Sequence, residues 1–217
     1  MSKELVYVLS PVRQVTDNQA IQIARHVELL HEHGAKVFNP VDDAPQDDAT
    51  GYNIVMAELN FLHKAAREGG RVDILWNLGG KPSEGSRVDV GMAKALGLKL
   101  NLVGVFNEDS PVGPQAAFRI IQNDKKENHK LAAMLEKIEQ SQEVVIDWNI
   151  GMIGEEEEWQ RIRLGLTLGS MSKNPNIRIK LGKLTGIDPP DKKSYPKVIK
   201  EVERVKTFAP KLRGGRY

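Results

Sequence analysis

The chain has 217 residues, a net charge of +2 and no cysteine, with 40% hydrophobic and 28% charged residues. This is room for one α/β domain, or a domain with an appendage, and the composition supports a buried core and excludes wholesale disorder. Without cysteine there is no disulfide framework, thiolate metal site or cysteine nucleophile. No run approaches the roughly eighteen apolar residues of a membrane span, and the apolar run after residues 1–4 is too short for a signal peptide. The expectation is a cytoplasmic protein that does not engage membranes.

The charge is unevenly spread. Residues 160–217 hold fifteen Lys and Arg against four Asp and Glu, so an acidic body carries a basic tail. A solvated appendage and a nucleic-acid contact both fit such a tail. There is no internal repeat at a solenoid period.

In chain order, residues 5–9 read Leu-Val-Tyr-Val-Leu, a β-prone apolar run closed by Ser10-Pro11, which predicts a buried parallel strand. Thr16 or Asp17 caps a helix whose apolar face carries Ile21, Ala24, Val27 and Leu30 or His31. Gly34 ends that helix, and residues 35–38 give a second strand stopped at Asn39-Pro40. Residues 41–51 read as an acidic loop. A helix over 52–68 uses Ile54, Ala57, Leu59, Phe61 and Leu62 as apolar positions and stops at Gly69-Gly70. A third strand follows at 72–78, a loop at 79–83, a helix from about 85 to 96, and a fourth strand at 98–106.

This alternation predicts a doubly wound, flavodoxin-like parallel sheet of about five strands with helices on both faces. The fifth strand is placed at 143–147, after helices at 116–122 and 128–140. Beyond it come a helix at 155–168, a loop-like stretch at 174–193 and a final amphipathic helix at 195–208. The chain thus divides into an α/β domain at 1–150 and a basic helical extension at 151–217. Ligands of such sheets bind beyond the carboxyl ends of the strands, an edge that here carries residues 10–13, 39–43 and 77–89.

The most informative segment of that edge is residues 82–91, Pro-Ser-Glu-Gly-Ser-Arg-Val-Asp-Val-Gly. It runs from a strand end into a helix start, where free amides and the Ser83 and Ser86 hydroxyls suit a phosphate or carboxylate. Asp89, about one turn in, feels the positive end of the helix dipole. The same residues also suit an ordinary helix start, with Ser83 as N-cap and Glu84 and Asp89 as first-turn acids. His26, His31, His33 and His63 form no zincin pair and read as surface or boundary residues. Trp76 reads as core, with stacking on a base open to it.

The ordered set of motifs resembles the nucleoside 2-deoxyribosyltransferase superfamily, nearest its nucleoside-monophosphate N-hydrolase branch. The likeness covers about residues 5–104. It is carried by Tyr7-Val8-Leu9-Ser10-Pro11, by Gly34, Val37-Phe38 and Pro40, by the helical acid Glu58, and by the strand Asp73–Asn77. It ends in Gly85-Ser86-Arg87-Val88-Asp89-Val90-Gly91-Met92-Ala93, where the superfamily has Gly-x-x-x-Glu-x-Gly-x-Ala. Asp89 therefore stands where the nucleophile is a Glu, and Ser83 where the transferases have Asp. The segment at 64–71 is longer than usual, and the tail beyond 150 has no counterpart.

The resemblance implies cleavage or transfer at the N-glycosidic bond of a (deoxy)ribonucleoside 5′-monophosphate or nucleoside, by retaining displacement at C1′. Asp89 would be the nucleophile, through a glycosyl ester. Glu58, or an acid of the Asp42-Asp43 loop, would protonate the departing base or orient the ring. Ser10, Pro11, Arg13, Asp43, Asn77, Ser83, Gly85, Ser86 and Arg87 would line the substrate site, the serines and arginines holding phosphate or sugar hydroxyls. No metal and no cofactor is implied. A homo-oligomer is expected, with Met56, Leu59 and Met92 as an apolar contact face. Two other functions fit: a catalytically altered nucleotide-binding sensor or sequestering protein, and a nucleic-acid-binding protein that uses the basic tail.

Overall fold

The computed structural model describes residues 3–12, 15–45, 51–78, 84–107, 115–148 and 158–181. Strands β1 (Leu5–Leu9), β2 (Lys36–Phe38), β3 (Arg71–Asn77) and β4 (Lys99–Phe106) form a parallel sheet in the order β2-β1-β3-β4. All five residues of β1 are buried, as expected for a continuous apolar strand covered on both faces. Leu5, Tyr7 and Leu9 point into the core with α3 (Tyr52–Glu68) and α4 (Glu84–Ala95); Val6 and Val8 point to the opposite face, with Ile23 and Leu30 of α1 (Asp17–Glu32). Winding from β2 back across β1 to β3 reverses direction, which is what puts α1 and α3 on opposite sides of the sheet.

Local chemistry sets the boundaries. Thr16 caps α1 in a capping box with Gln19, each side chain accepting from the other's backbone amide at 3.2–3.3 Å. The buried stripe of α1 runs through Gln19, Ile23 and Leu30, and the expected face residue Ile21 is 65% exposed. Ile21 lies two residues from Ile23, about 200° round the helix, so the two cannot share a face. A short helix α2 (Pro40–Asp43) forms inside the expected loop, because Asn39 caps it and Pro40 presets its first turn. The helix expected at 52–68 has those bounds, closed by Gly69 in the left-handed conformation.

Asp73 sits in the middle of β3 on the α1 face, 2% exposed. It accepts from Arg71 Nε at 2.8 Å and Asn101 Nδ2 at 3.1 Å, and lies 3.2 Å from His26 Nε2. Burial works to raise its pKa, but these hydrogen bonds outweigh that and hold the carboxyl below its ordinary value.

The expected fifth strand forms as β5 (Val144–Trp148), but it does not join the four-stranded sheet. It pairs in parallel with β6 (Ile177–Leu181), inside the stretch that had read as loop. Between them lies α7 (Glu158–Gly169), so β5-α7-β6 is a second βαβ unit. Beyond β4 the chain first lays α5 (Ala116–Ile121) and α6 (Lys125–Gln140) on the α4 side of the sheet, which carries β5 away from the β4 edge.

Glycines set the join between the two units. A Cβ on Gly165 would collide with the Val88 carbonyl oxygen, and one on Gly91 with that of Ile162; one on Gly169 would lie 2.7 Å from Ala95 Cβ. The backbones of α4 and α7 therefore touch. Ile162, Leu166, Leu168 and Ile177, assigned by sequence to the extension, are buried in one core with Leu62, Met92 and Ile120. The helix expected at 195–208 and most of the basic tail lie outside the described residues. Met56, Leu59 and Met92 are 2%, 5% and 0% exposed, so they fill the core of the chain itself and are not an oligomer face. No helix among the described residues is long and apolar enough to cross a membrane.

Candidate functional site

The strand order reverses between β1 and β3, and in a doubly wound sheet the crevice at that reversal is where ligands bind. A small, partly open recess lies there, lined by Pro11 after β1, Trp76 and Asn77 at the end of β3, and Ser86 in the first turn of α4. Ser10 and Trp76 are 4% and 2% exposed, and neither Ser10 Oγ nor Trp76 Nε1 has a protein hydrogen-bond partner. Trp76 is also core, with its ring 6.5 Å from that of Phe118.

Further into the sheet, three polar side chains meet. They are Tyr7 from β1, Glu58 from α3 and Asp89 from α4, at 0%, 5% and 5% exposure. The alternation of β1 turns Tyr7 toward the helices, and the rings of Phe38 at 5.6 Å and Phe61 at 6.4 Å hold it in place. Glu58 is on the buried stripe of α3 with Met56, Leu59 and Leu62. Asp89 is buried because α4 is sandwiched between the sheet and α7, so that all of Ser86 to Val90 are inside. The three groups are close enough to interact by charge and hydrogen bonding. Tyr7 Oη and Asp89 Oδ1 nevertheless lack a well-aligned partner, so the contact is electrostatic and loosely hydrogen-bonded rather than locked.

Two carboxyl groups sharing a dry site cannot both ionise cheaply. Burial, and then the charge of Asp89, raise Glu58 well above the usual carboxylate range. Burial pushes Asp89 up to about 7, against hydrogen bonds from Glu58 and Tyr7 that pull it down. Tyr7 is raised well above its ordinary value, first by burial and then by the two acids, so it stays a hydroxyl donor. The pair therefore holds a proton at neutral pH: one carboxylic acid and one carboxylate in contact, the division of labour that acid and nucleophile require.

Unfolded carboxyls release their protons near about pH 4, whereas the folded pair keeps them toward about pH 7. The folded state binds more protons in that window, so stability falls as pH rises through it. Asp73 acts with the opposite sign in a separate window, losing its contribution as pH falls below its ordinary 3.8. The urea midpoint of the wild type should be lower at about pH 8 than at about pH 5, and Asp89→Asn should flatten the difference. A midpoint that rises between those values in the wild type, with no change in the variant, contradicts the assignment.

The remaining expected site residues divide. Pro11, Asn77 and Ser86 come together at the recess, Ser10 is buried at the end of β1, and Gly85 is exposed at the start of α4, with open space where a Cβ would stand. Asp43 is turned back to accept from the Asn39 amide at 2.8 Å. Arg87 is 7% exposed; its Nε lies 3.3 Å from Glu158 Oε1 and its Nη2 donates to Gln115 Oε1 at 3.4 Å. Its guanidinium thus meets α7 and the start of α5. Arg13 and Ser83 lie outside the described residues. His63 is buried rather than peripheral, and its pKa is lowered to about 4 by burial and by Arg67.

Sequence reasoning gave Tyr7 no role, although it stands inside the motif quoted for the resemblance. A phenol in an otherwise aliphatic central strand, on the face shared with two acid-bearing helices, was the available signal. Glu158 was also missed, as one of four consecutive glutamates at a helix start. The chain matches no protein-family profile and no curated protein sequence.

Proposed function

We propose that the chain cleaves or transfers the N-glycosidic bond of a nucleoside or nucleoside 5′-monophosphate, with Asp89 as nucleophile and Glu58 as acid. The observation that carries this reading is the meeting of Tyr7, Glu58 and Asp89 in a buried cluster beside the crevice between β1 and β3. Such a group supplies what the displacement needs. An Asp89 oxygen attacks C1′, the base leaves with the bonding electron pair, and Glu58 gives that base a proton. The Tyr7 hydroxyl donates to the Asp89 carboxylate and orients it. Water, or a second base, then breaks the ester, and the proton lost by the attacking group returns to Glu58.

A second reading is favoured by one feature. Asp89 is a methylene shorter than Glu, and a shift of about 1 Å can cost roughly a hundredfold in a geometry-dependent step. In that case the site binds nucleotide without turnover. In either reading the 5′-phosphate falls to Ser83, Ser86 and Arg13, since Arg87 is engaged with Glu158. Charge-assisted hydrogen bonds contribute about 1.5–3 kcal/mol each. A nucleoside monophosphate should thus bind at least about tenfold more tightly than its nucleoside, and Ser83→Asp should reverse the order. Calorimetry on one such pair tests this; equal affinities would remove the phosphate seat and leave the nucleoside as ligand.

A further inference from the structure

The contacts along the glycine seam run in register. Val88 meets Gly165, and Met92 and Ala95 meet Gly169. The two helices are therefore parallel, and their first turns lie side by side at the edge of the sheet that holds the recess. There Glu158, the first residue of α7, ties three elements together. Its Oε1 is 3.3 Å from Arg87 Nε of α4, and it accepts from the Ala116 amide at 2.8 Å and the Ala117 amide at 3.0 Å, both in the first turn of α5. Gln115, the residue before α5, makes no side-chain cap bond, so these amides would otherwise be orphan donors. Gln115 instead accepts from Nη2 of the same guanidinium at 3.4 Å. Trp159, the next residue of α7, is covered by Lys130 Nζ of α6, 3.9 Å from the ring centre.

We propose that Glu158 is a positioning residue for Asp89: by clamping Arg87 it fixes the first turn of α4, two residues before the carboxylate that faces Tyr7 and Glu58. The seam behind this turn is backbone against backbone, with no flexible side chain to absorb a shift, so the ion pair and the glycines together decide where Asp89 stands. The consequence for catalysis rests on the reading of Asp89 as nucleophile, while the placement of the α4 head does not.

The test compares wild type with Glu158→Gln, which keeps size and an amide-accepting oxygen but loses the charge, and with Glu158→Asp, which keeps the charge on a shorter arm. Base release from a nucleoside monophosphate is followed together with thermal melting and amide hydrogen exchange. For Glu158→Gln, kcat should drop about tenfold or more, with KM within about threefold and little change in melting temperature. Glu158→Asp should recover part of the loss. A variant that melts earlier but keeps the wild-type kcat below its transition makes Glu158 merely structural and overturns the proposal. If the wild type releases no base, the glycosidic reading falls and exchange decides the clamp. Selective acceleration of the amides at 86–90, about tenfold or more over those of α6, supports it; unchanged exchange there refutes it.

Discussion

Asp89→Asn should remove base release, by roughly a thousandfold or more in kcat, while the protein becomes harder to unfold. A side-chain amide cannot form the glycosyl ester, so the loss is chemical rather than structural. The stability gain has a separate origin. Glu58 and Asp89 press two acids into one dry cluster with Tyr7, and replacing buried charge with a neutral group of the same shape commonly stabilises by about 1–4 kcal/mol. For a chain of this size that is an increase of roughly 2–16 °C in melting temperature. The gain should grow as pH rises from about 4 toward about 7, where the unfolded chain has released protons that the folded pair still holds, and level off above. A variant that loses activity and also melts well below the wild type would mean that Asp89 holds the fold together rather than performing the chemistry. Melting curves at two pH values beside a base-release assay separate the two.

Gly165→Ala should be among the most damaging single-methyl additions in the protein. The atoms that an added Cβ would meet are backbone: the carbonyl of Val88 and the amide nitrogen of Met92. Neither can rotate away, so α7 has to move off α4. Overpacking of this kind costs about 1–3 kcal/mol and occasionally more, and a cost at the upper end lowers the melting temperature by roughly 6–12 °C. Because α7 packs on the helix that carries Asp89, activity at a temperature where the variant is folded should fall as well. Gly85→Ala is the control, since nothing lies within 4 Å of its Cβ position and alanine favours a helix. Equal melting temperatures for wild type and Gly165→Ala would show that the α4–α7 seam is looser than described.

How far the sequence could be read depended on how local each signal was. The strand at Leu5–Leu9, the helix at Tyr52–Glu68 and the alternation through β4 were legible because apolar runs, caps and glycine stops sit next to the elements that they delimit. The face of α1 was not. Ile21 is as apolar as Ile23, and only the position of the sheet decides which of them is buried. The strand β6 was missed although Ile177, Ile179 and Leu181 alternate with Arg178 and Lys180, because its partner β5 lies some thirty residues away. The role of residues 158–181 could not be read at all, since it resides in contacts between Gly165 and Val88 that no local pattern announces. At the site, Glu58 and Asp89 were singled out and do come together. Tyr7 needed the fold, because a hydroxyl in a core strand has meaning only once the acids facing it are known. Arg87 looked free in sequence only because Glu158, its partner, is 71 positions further along the chain.

The most direct measurement is intact-protein mass spectrometry during incubation with a panel of nucleosides and nucleoside monophosphates, with chromatography of the released base. Free base is expected from at least one member of the panel, with a transient pentosyl or phosphopentosyl adduct that maps to the peptide containing Asp89. Neither should appear with Asp89→Asn. Base release that survives in Asp89→Asn, an adduct on a residue outside the cluster, or no release from any member of the panel would contradict the reading of Asp89 as nucleophile.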